Sequence, residues 1–391
     1  MIFAFHNKYG IIFAVNKGGI IMIYLDYSAT TPVDNDVLNA FCEASRSLVG
    51  NANSLHELGI KCQSRILQDS KDILKNLGLD DKQYEIIYTS GASEANNLAI
   101  KGYLERFGTD KHIITTNFEH PSVTAPVGYL QNKGYQIDFV KINKKGLVDL
   151  VDLERLITDK TILVSIVSVN SEIGIKQPIA EIAMLLKKYP QIVFHSDITQ
   201  SIGKAQEVCA NIDMMSFSAH KFYGVKGVGA LIKKKEIKLI PQIHGGTSTS
   251  KYRSGTPFHP LIYSMAYALQ LATVNFDNRY QKTKTTNDYL VKELSRIPQV
   301  RINSNEYAIP HIVNFSIIGK NSIEIVEYMS KKGIYISNHT ACSSKQQMSL
   351  AVYNLTEDKG LALSSVRVSL SHLTTFADID ALINAIKEMV N

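Results

Sequence analysis

Three short segments of the chain combine residue types that could bind an anion, form a covalent bond or hold a charge. Residues 89–93 read Thr-Ser-Gly-Ala-Ser, residues 195–200 read His-Ser-Asp-Ile-Thr-Gln, and residues 216–221 read Ser-Phe-Ser-Ala-His-Lys. Each segment lies at the end of an apolar or β-branched run that predicts a strand. Because open α/β sheets bind ligands beyond the carboxyl ends of their strands, these side chains are candidates for a common site.

Each segment has a chemical interpretation and a plainer structural one. The small residues at 89–93 let backbone N–H groups approach an anion where a helix begins, but a tight turn without a ligand has the same composition. Burial would lower the pKa of Lys221 and make it nucleophilic toward a carbonyl, but a surface lysine can also follow a strand. Asp197 could bind a ligand at the sheet edge or cap a following helix. Taken singly, the segments leave both interpretations open.

Taken together, the three segments supply what pyridoxal phosphate requires. Lys221 would form a Schiff base with the aldehyde of this cofactor. Asp197 would keep the pyridine nitrogen protonated, so that the ring can accept electrons. Residues 89–93 would bind the phosphate. The combination therefore predicts a pyridoxal-phosphate site.

The elements that must position these residues alternate between short strands and longer helices from about residue 85 to residue 230. Strands are predicted at 85–89, 112–116, 135–142, 161–167, 192–195 and 214–217, and helices at 92–106, from 121, and at 178–188. This alternation predicts an α/β fold with a mostly parallel sheet covered by helices.

The pattern changes after about residue 257 and predicts a smaller α+β domain. A long helical stretch runs to about residue 296, followed by strands near 311–317, 334–337 and 366–370 and by helices near 322–331 and from 378. We expect residues 34–262 to form a large domain, and residues 22–33 and 263–391 to form a small domain. No linker rich in Pro, Gly or Ser separates the halves, which favours close packing.

Composition and charge are those of an ordinary globular protein. The 391 residues are 45% apolar and 20% charged, which excludes a disordered or fibrous chain. No apolar run approaches the roughly 18 residues that a membrane span needs, so we expect no membrane contact. The formal charge of +6 comes from 42 basic and 36 acidic residues. We interpret its densest cluster, the three lysines at 233–235, as a solvated strand end and not as a nucleic-acid surface.

The cysteines bear on the compartment and on metal binding. The chain has four, Cys42, Cys62, Cys209 and Cys342. None forms a C-x-x-C pair and no His/Cys cluster has zinc spacing, so we expect no metal site, and we interpret Cys42 and Cys62 as packing residues. Without a signal-peptide pattern, free cysteines favour a reducing cytoplasm. We expect residues 1–21, with lysines among their apolar patches, to be an extension or a loosely held arm before an ordered start at Met22.

Nine motifs occur in one order between about residue 24 and residue 386. They are DYSATTP at 26–32, SGASEANN at 90–97, EH at 119–120, NSEIG at 170–174, DITQS at 197–201, SAHK at 218–221, RSGT at 253–256, ACSS at 341–344 and SVRVSL at 365–370. With these motifs the chain resembles the cysteine desulfurases, fold-type I pyridoxal-phosphate enzymes of the class V aminotransferase group, and most closely the members with a long catalytic-cysteine loop. The resemblance implies a seven-stranded-type sheet in the large domain, a catalytic cysteine loop in the small domain and a homodimer with shared active sites.

The resemblance also implies a role for each matching residue at the cofactor. Lys221 would hold the cofactor and later move protons at the substrate, and His120 would stack on the ring and assist proton transfer. Asp197 would pair with the pyridine nitrogen, Gln200 would hydrogen-bond the ring hydroxyl, and Asn170 would lie near the same edge. The phosphate would be held by Ala92 through its backbone, Ser93, Ser218, His220 and, from the partner subunit, Thr256.

Arg367 and Cys342 would bind and convert the implied substrate, L-cysteine. Arg367 would clamp the substrate carboxylate, with Asn170 nearby, because a guanidinium can bind this anion through two hydrogen bonds. A structural ion pair is the plainer interpretation of this arginine. Cys342 lies in a polar stretch without periodicity, which favours a loop. Its thiolate would attack the substrate sulfur, become a persulfide and release alanine.

Activation of Cys342 has several candidate sources. An ordinary thiol is mostly protonated at neutral pH, so a nearby group must favour the thiolate. His339, Lys345 and a group on the bound substrate stay open as candidates.

Other functions on the same residues also stay open. A selenocysteine lyase or another class V aminotransferase would use the same lysine, because a fold does not decide its reaction. A sulfur-relay scaffold without catalysis would not need Lys221, His120 or Asp197, all of which are present. The expected sulfur acceptor is a protein, such as an iron–sulfur cluster scaffold, a tRNA-thiolation enzyme or a thiamine-pathway carrier, with no direct nucleic-acid contact.

Overall fold

The computed structural model describes residues 22–206, 209–338 and 348–391. Cys342, His339 and Lys345 lie outside these ranges, as does the expected extension at 1–21. The helices are α1 (Asn35–Ser47), α2 (Glu57–Asn76), α3 (Ala92–Leu104), α4 (Pro121–Asn132), α5 (Leu150–Leu156), α6 (Ile179–Leu186), α7 (His259–Val274), α8 (Phe276–Leu294), α9 (Ser322–Lys331), α10 (Leu350–Thr356), α11 (Lys359–Ser364) and α12 (Phe376–Val390). The strands are β1 (Ile23–Tyr24), β2 (Tyr84–Thr89), β3 (His112–Thr115), β4 (Gln136–Phe139), β5 (Thr161–Ser165), β6 (Val193–Asp197), β7 (Met214–Ser218), β8 (Gly229–Lys234), β9 (Val300–Ile302), β10 (Ile312–Ile317), β11 (Ile334–Tyr335) and β12 (Ser365–Ser369).

The larger sheet has seven strands in the order β2-β8-β7-β6-β5-β3-β4. Strand β8 runs antiparallel to both of its neighbours, and the other four pairings are parallel. Every residue of β5 is buried, as expected for a strand covered by helices on both faces. The predicted α/β class with a mostly parallel sheet is confirmed. Its parallel strands bring the ends of β6 and β7, with Asp197 and Ser218, to one edge.

The carboxyl-terminal part of the chain builds a smaller antiparallel sheet in the order β12-β10-β9. Strands β1 and β11 pair in parallel beside it, and the Ser369 N–H donates to the Leu25 carbonyl at 2.7 Å. Its apolar core draws on Leu25 and on residues from 290 to 386, apart from the cores around the seven-stranded sheet. The boundaries at 33/34 and 262/263 stay a prediction.

Several element boundaries differ from the predicted ones. The strand predicted at 135–142 is confined to Gln136–Phe139, and the long helical stretch is two helices, α7 and α8, that meet at Asn275. The Asn275 side-chain amide donates to the Leu271 carbonyl at 2.9 Å. This side-chain competition with the backbone is typical of asparagine at helix ends. Among the described residues, no helix combines the length and apolar character that a bilayer crossing requires.

The interpretation of residues 233–235 as a solvated strand end is wrong for its first lysine. Lys233 lies on β8 and is fully buried, and its ammonium contacts the carboxylate of Glu85 on the neighbouring strand. It also donates to the Ile237 carbonyl at 2.7 Å and lies 4.8 Å from the ring centre of Tyr252. Composition alone could not show this burial, because it depends on the register of β2 against β8.

Of the two cysteines predicted to be packing residues, one is buried and the other is only half-buried. Cys62 is buried in the core around the large sheet, as predicted for a packing residue, whereas Cys42 on α1 is only half-buried.

Candidate active site

A cavity of about 500 Å³ opens at the edge of the large sheet where β6 and β7 end. This volume suits a small organic ligand. Nine of the residues predicted for the site line it: Ala92, Ser93, His120, Asp197, Gln200, Ser218, His220, Lys221 and Arg367. The described residues contain no group of three or more His, Cys, Asp or Glu side chains placed to hold a metal.

One end of the cavity is a cradle formed by residues 90–93 and Ser218. The Ala92 N–H, at the start of α3, donates to the Ser218 hydroxyl at 2.8 Å, which leaves the hydroxyl hydrogen free to donate elsewhere. A Cβ at Gly229 would lie 2.7 Å from the Gly91 Cα and 2.4 Å from the Phe217 carbonyl oxygen. Glycine at 229 therefore permits the close approach of β8 to the cradle. A helix start flanked by hydroxyls is suited to a phosphate.

His220 directly precedes Lys221 in the chain and also lines the cavity. Its Nδ1 is 3.1 Å from the Thr30 hydroxyl. Burial lowers the pKa of His220 to about 4, with help from the nearby positive charges of Lys221 and Lys204. The imidazole is therefore neutral at neutral pH, and it can offer one N–H donor to an anion.

Lys221 ends a single 3₁₀ turn, Ala219–Lys221, that directly follows β7. Its Nζ donates to the carbonyl oxygens of Ser28 at 2.5 Å and Ala29 at 2.9 Å. Both carbonyls belong to the motif at 26–32. This segment therefore holds the amine at the cavity wall.

Asp197 is the last residue of β6 and is 5% exposed. Its Oδ2 accepts a hydrogen bond from the Asn96 side-chain amide at 2.8 Å, and its Oδ1 accepts one from the Thr199 N–H at 2.9 Å. The second bond caps a turn, which resembles the plainer interpretation of this residue. Asp197 nevertheless also lines the cavity.

His120 caps the start of α4, and this contact decides which ring nitrogen carries the proton in the neutral imidazole. Its Nδ1 accepts a hydrogen bond from the Ser122 N–H at 3.1 Å. Because an amide can only donate, the neutral ring carries its proton on Nε2. Burial lowers the pKa of His120, although the Asp197 carboxylate opposes this effect. A neutral imidazole with an Nε2–H therefore lines the cavity.

Glu119, the residue before His120, is a buried carboxyl group. Its Oε1 accepts hydrogen bonds from the Thr116 hydroxyl at 2.7 Å and the Val167 N–H at 2.8 Å, and its Oε2 has no partner among the described residues. Burial raises the pKa of Glu119 to about 8, so this group is mostly protonated at neutral pH.

Arg367 lies on β12 and is 1% exposed. Its Nη2 lies 2.7 Å from Asp26 Oδ1, and its Nη1 donates to the Ser171 carbonyl at 2.9 Å. Its Nε is buried without a partner among the described residues. Arg367 therefore forms the ion pair of the plainer interpretation and also lines the cavity, as a substrate-binding group would.

Two of the predicted site residues do not line the cavity of their own chain. Asn170 donates to the Phe118 carbonyl at 2.9 Å and accepts hydrogen bonds from the N–H groups of Glu172 and Ile173, so its amide holds a turn. Thr256 is exposed. The roles of both residues at the cofactor stay predictions.

Sequence reasoning missed several residues that organise this site. Asp26, Asn96 and Glu119 fall inside motifs that were recognised, but motif spacing gives no information about their partners. Lys204 is buried and donates to the Gln200 side-chain carbonyl at 2.8 Å. Its only sequence signal is a position seven residues after Asp197, which predicts nothing by itself.

Comparison with known proteins gives the family. The family model described as "Aminotransferase class-V" matches residues 23–382, which include every described residue of the cavity. The chain belongs to the class-V aminotransferase family.

Three relatives of this class-V aminotransferase family member match it over at least 94% of their own length. The protein named "Cysteine desulfurase IscS" from Dictyoglomus turgidum is 35% identical over 376 residues, which cover 94% of each chain. A solved structure described as a NifS-like protein from Rickettsia africae is 32% identical with a TM-score of 0.85, and the match covers 94% of this chain and 99% of that one. Another, "SspA in complex with cysteine", is 29% identical with a TM-score of 0.77, and the match covers 90% and 99%.

Proposed function

We propose that this class-V aminotransferase family member is a pyridoxal-phosphate-dependent cysteine desulfurase. It converts L-cysteine to L-alanine and transfers the sulfur to the thiol of Cys342. The observation that carries the proposal is that Lys221 and Asp197 line one cavity with the cradle at 90–93. The names of the matching relatives support the reaction, and the solved relative in complex with cysteine supports the substrate.

The residues of the cavity suit pyridoxal phosphate. Lys221 Nζ would be the point of covalent attachment, and the Asp197 carboxylate would pair with the pyridine nitrogen. Gln200 would hydrogen-bond the ring hydroxyl. The phosphate would be held by the backbone at Ala92, by Ser93 and Ser218, and by neutral His220. When bound, this cofactor supplies an electron sink that makes the Cα proton of an amino acid acidic.

Arg367 binds the carboxylate of L-cysteine. Its guanidinium is already oriented by Asp26 and by the Ser171 carbonyl. The buried Nε still lacks a partner among the described residues, so a carboxylate that accepts from it would satisfy an otherwise costly donor.

Lys221 and His120 move the protons. The Lys221 amine would take the proton from the substrate Cα and could return it to carbon. His120 would lie against the ring, and its Nε2–H would assist proton transfer at the substrate. The Cys342 thiolate then attacks the substrate sulfur, so a carbon–sulfur bond breaks as a sulfur–sulfur bond forms. The carbon fragment gains a proton and leaves as alanine.

The proposal is tested with the cofactor-loaded protein and L-cysteine. We expect one alanine for each sulfur transferred, and a persulfide on Cys342 that mass spectrometry can locate. Cys342→Ala should retain the cofactor's visible absorbance and form no persulfide, whereas the half-buried Cys42→Ala should behave like the wild type. Sulfur transfer that persists in Cys342→Ala would contradict the proposal. Alanine formed faster from selenocysteine, or amino transfer to a keto acid, would instead favour the alternative reactions.

We also propose a homodimer with shared sites, in which Thr256 contributes to the partner's phosphate site. Thr256 does not line its own cavity, unlike the other phosphate residues. Leu55 is 93% exposed and Phe258 is 57% exposed. The Asn53 side chain donates to the Ser248 hydroxyl at 3.2 Å, so the segment before Leu55 contacts the segment before Phe258. Large exposed apolar side chains favour burial against a second copy.

The persulfide sulfur, we propose, passes to an acceptor protein for iron–sulfur cluster assembly or for thiolation of tRNA or a cofactor. A cytoplasmic location is proposed with it, because a thiol that must accept sulfur needs a reducing compartment. Radiolabelled sulfur loaded on the protein and chased into copurified acceptors would identify the recipient. Transfer that also occurs from Cys342→Ala would contradict this route.

A further inference from the structure

Lys204 is a buried lysine that the proposed reaction leaves without a role. It is 6% exposed and follows the turn that begins at Asp197. Among the described residues, its only hydrogen-bond partner is the Gln200 side-chain carbonyl, at 2.8 Å, and no carboxylate forms a salt bridge with it. A buried ammonium without a carboxylate is costly, so its position beside a cavity residue calls for a reason.

The contacts of Gln200 assign both ends of its amide. Its Nε2 donates to the Ser28 carbonyl at 2.9 Å, and a carbonyl oxygen can only accept. Its Oε1 accepts from Lys204. The amide nitrogen has two hydrogens, and one of them remains for another acceptor. Gln200 therefore offers the cavity a donor, and Lys204 occupies the oxygen that would otherwise compete.

The groups around Lys204 are bases. Burial, and then the positive charges of Lys221 and Arg367, lower the pKa of Lys204 well below its usual value. Lys204 also contributes to the lowered pKa values of His220 and His311. A bound cofactor with a phosphate and an ionised ring oxygen would add negative charge near these basic side chains. Burial and these neighbours favour the neutral amine of Lys204, which still has hydrogens to donate to the Gln200 carbonyl.

We propose that Lys204 is a positioning residue that fixes the Gln200 amide with its donor toward the cofactor and thereby holds the ring hydroxyl as a phenolate. This inference rests on the proposed function, because it requires pyridoxal phosphate in the cavity. Lys204 acts through Gln200 and does not touch the reacting atoms.

The test uses Lys204→Met, Gln200→Leu and the double variant, each reconstituted with pyridoxal phosphate. We expect Lys204→Met to bind the cofactor about tenfold more weakly. The midpoint in the pH titration of its visible absorbance should move to higher pH by about one unit, because the Gln200 amide is no longer held with its donor toward the phenolate. If Lys204 acts through Gln200, the double variant should match Gln200→Leu and the two effects should not add.

Lys233→Met is the matched control, because Lys233 is also buried but does not line the cavity. It should lower the melting temperature and leave affinity and absorbance unchanged. If Lys204→Met behaves like this control, Lys204 is only structural and the inference is overturned. Additive effects in the double variant would overturn it as well. If Lys204→Met does not fold, Lys204→Ala should show the same titration shift. Lys204→Gln, which keeps a donor for the Gln200 carbonyl, should retain the wild-type midpoint, and a full shift in this variant would overturn the inference. A wild-type protein that forms no visible band with pyridoxal phosphate would overturn the proposed function as well.

Discussion

Arg367 and Asp26 form an ion pair, with 2.7 Å between Nη2 and Oδ1, although 340 residues separate them in the chain. The pair joins β12 to the segment that follows β1. The other oxygen of Asp26, Oδ2, accepts from the Ser337 hydroxyl at 2.8 Å. One carboxylate therefore orients the arginine and also contacts Ser337, shortly before the segment that contains Cys342.

Arg367→Lys should lower kcat/KM for L-cysteine by about 100-fold, mainly through a higher KM. A lysine carries the charge but cannot offer the planar pair of donors that binds a carboxylate. Steady-state kinetics with L-cysteine would measure the change, and cofactor affinity should stay close to that of the wild type. Asp26→Asn, which keeps the arginine, is the control. If both variants only lower the melting temperature and leave KM unchanged, Arg367 serves the ion pair alone.

Gly229→Ala should weaken cofactor binding and destabilise the protein by roughly 1–3 kcal/mol. The new Cβ would lie 2.7 Å from the Gly91 Cα, so the cradle must move away from β8. Equilibrium denaturation and titration with pyridoxal phosphate would measure both effects. Gly128→Ala on α4 is the control, since its Cβ would meet nothing within 4 Å, and alanine favours the helix by up to about 1 kcal/mol. A Gly229→Ala protein with wild-type stability and affinity would contradict the packing argument.

Glu119→Gln should remove part of the pH dependence of stability. Burial raises the pKa of Glu119 in the folded protein to about 8, from 4.5 for an ordinary glutamate. Between these values the unfolded chain releases the proton and the folded protein retains it, so wild-type stability falls as pH rises through this window. Glutamine mimics the protonated form at every pH. From pH 5 to pH 8, the free energy of unfolding should therefore fall by on the order of 2–4 kcal/mol less in the variant than in the wild type. Urea denaturation at pH 5 and pH 8 measures this difference. Glu181→Gln, at an exposed position, is the control and should lose as much stability over this range as the wild type.

Mixing Lys221→Ala with Thr256→Glu should restore activity if the sites are shared. Each homodimer would be inactive, because one lacks the reactive amine and the other places a carboxylate against the phosphate. In a mixed dimer both defects fall in one site and the other site is intact. Random mixing should therefore recover about one quarter of wild-type activity. No recovery after confirmed subunit exchange would show that Thr256 does not act in the partner's site.

The sequence by itself determined the class of fold and most of the residues at the site. Strand periodicity, helix signals and the positions of Asp197 and Ser218 at strand ends depend on neighbours in the chain. Local rules therefore apply to them, and parallel strands necessarily bring such ends to one edge. Recognised motifs added Arg367, His120 and Gln200, which also line the cavity.

The tertiary structure alone decided the partners of these residues and their charge. The pairing of Arg367 with Asp26, the contact of Lys204 with Gln200 and the burial of Lys233 against Glu85 join positions whose spacing carries no signal. The raised pKa of Glu119 likewise follows from burial. Burial and long-range contacts arise when separate elements pack together, so no local pattern in the chain contains them.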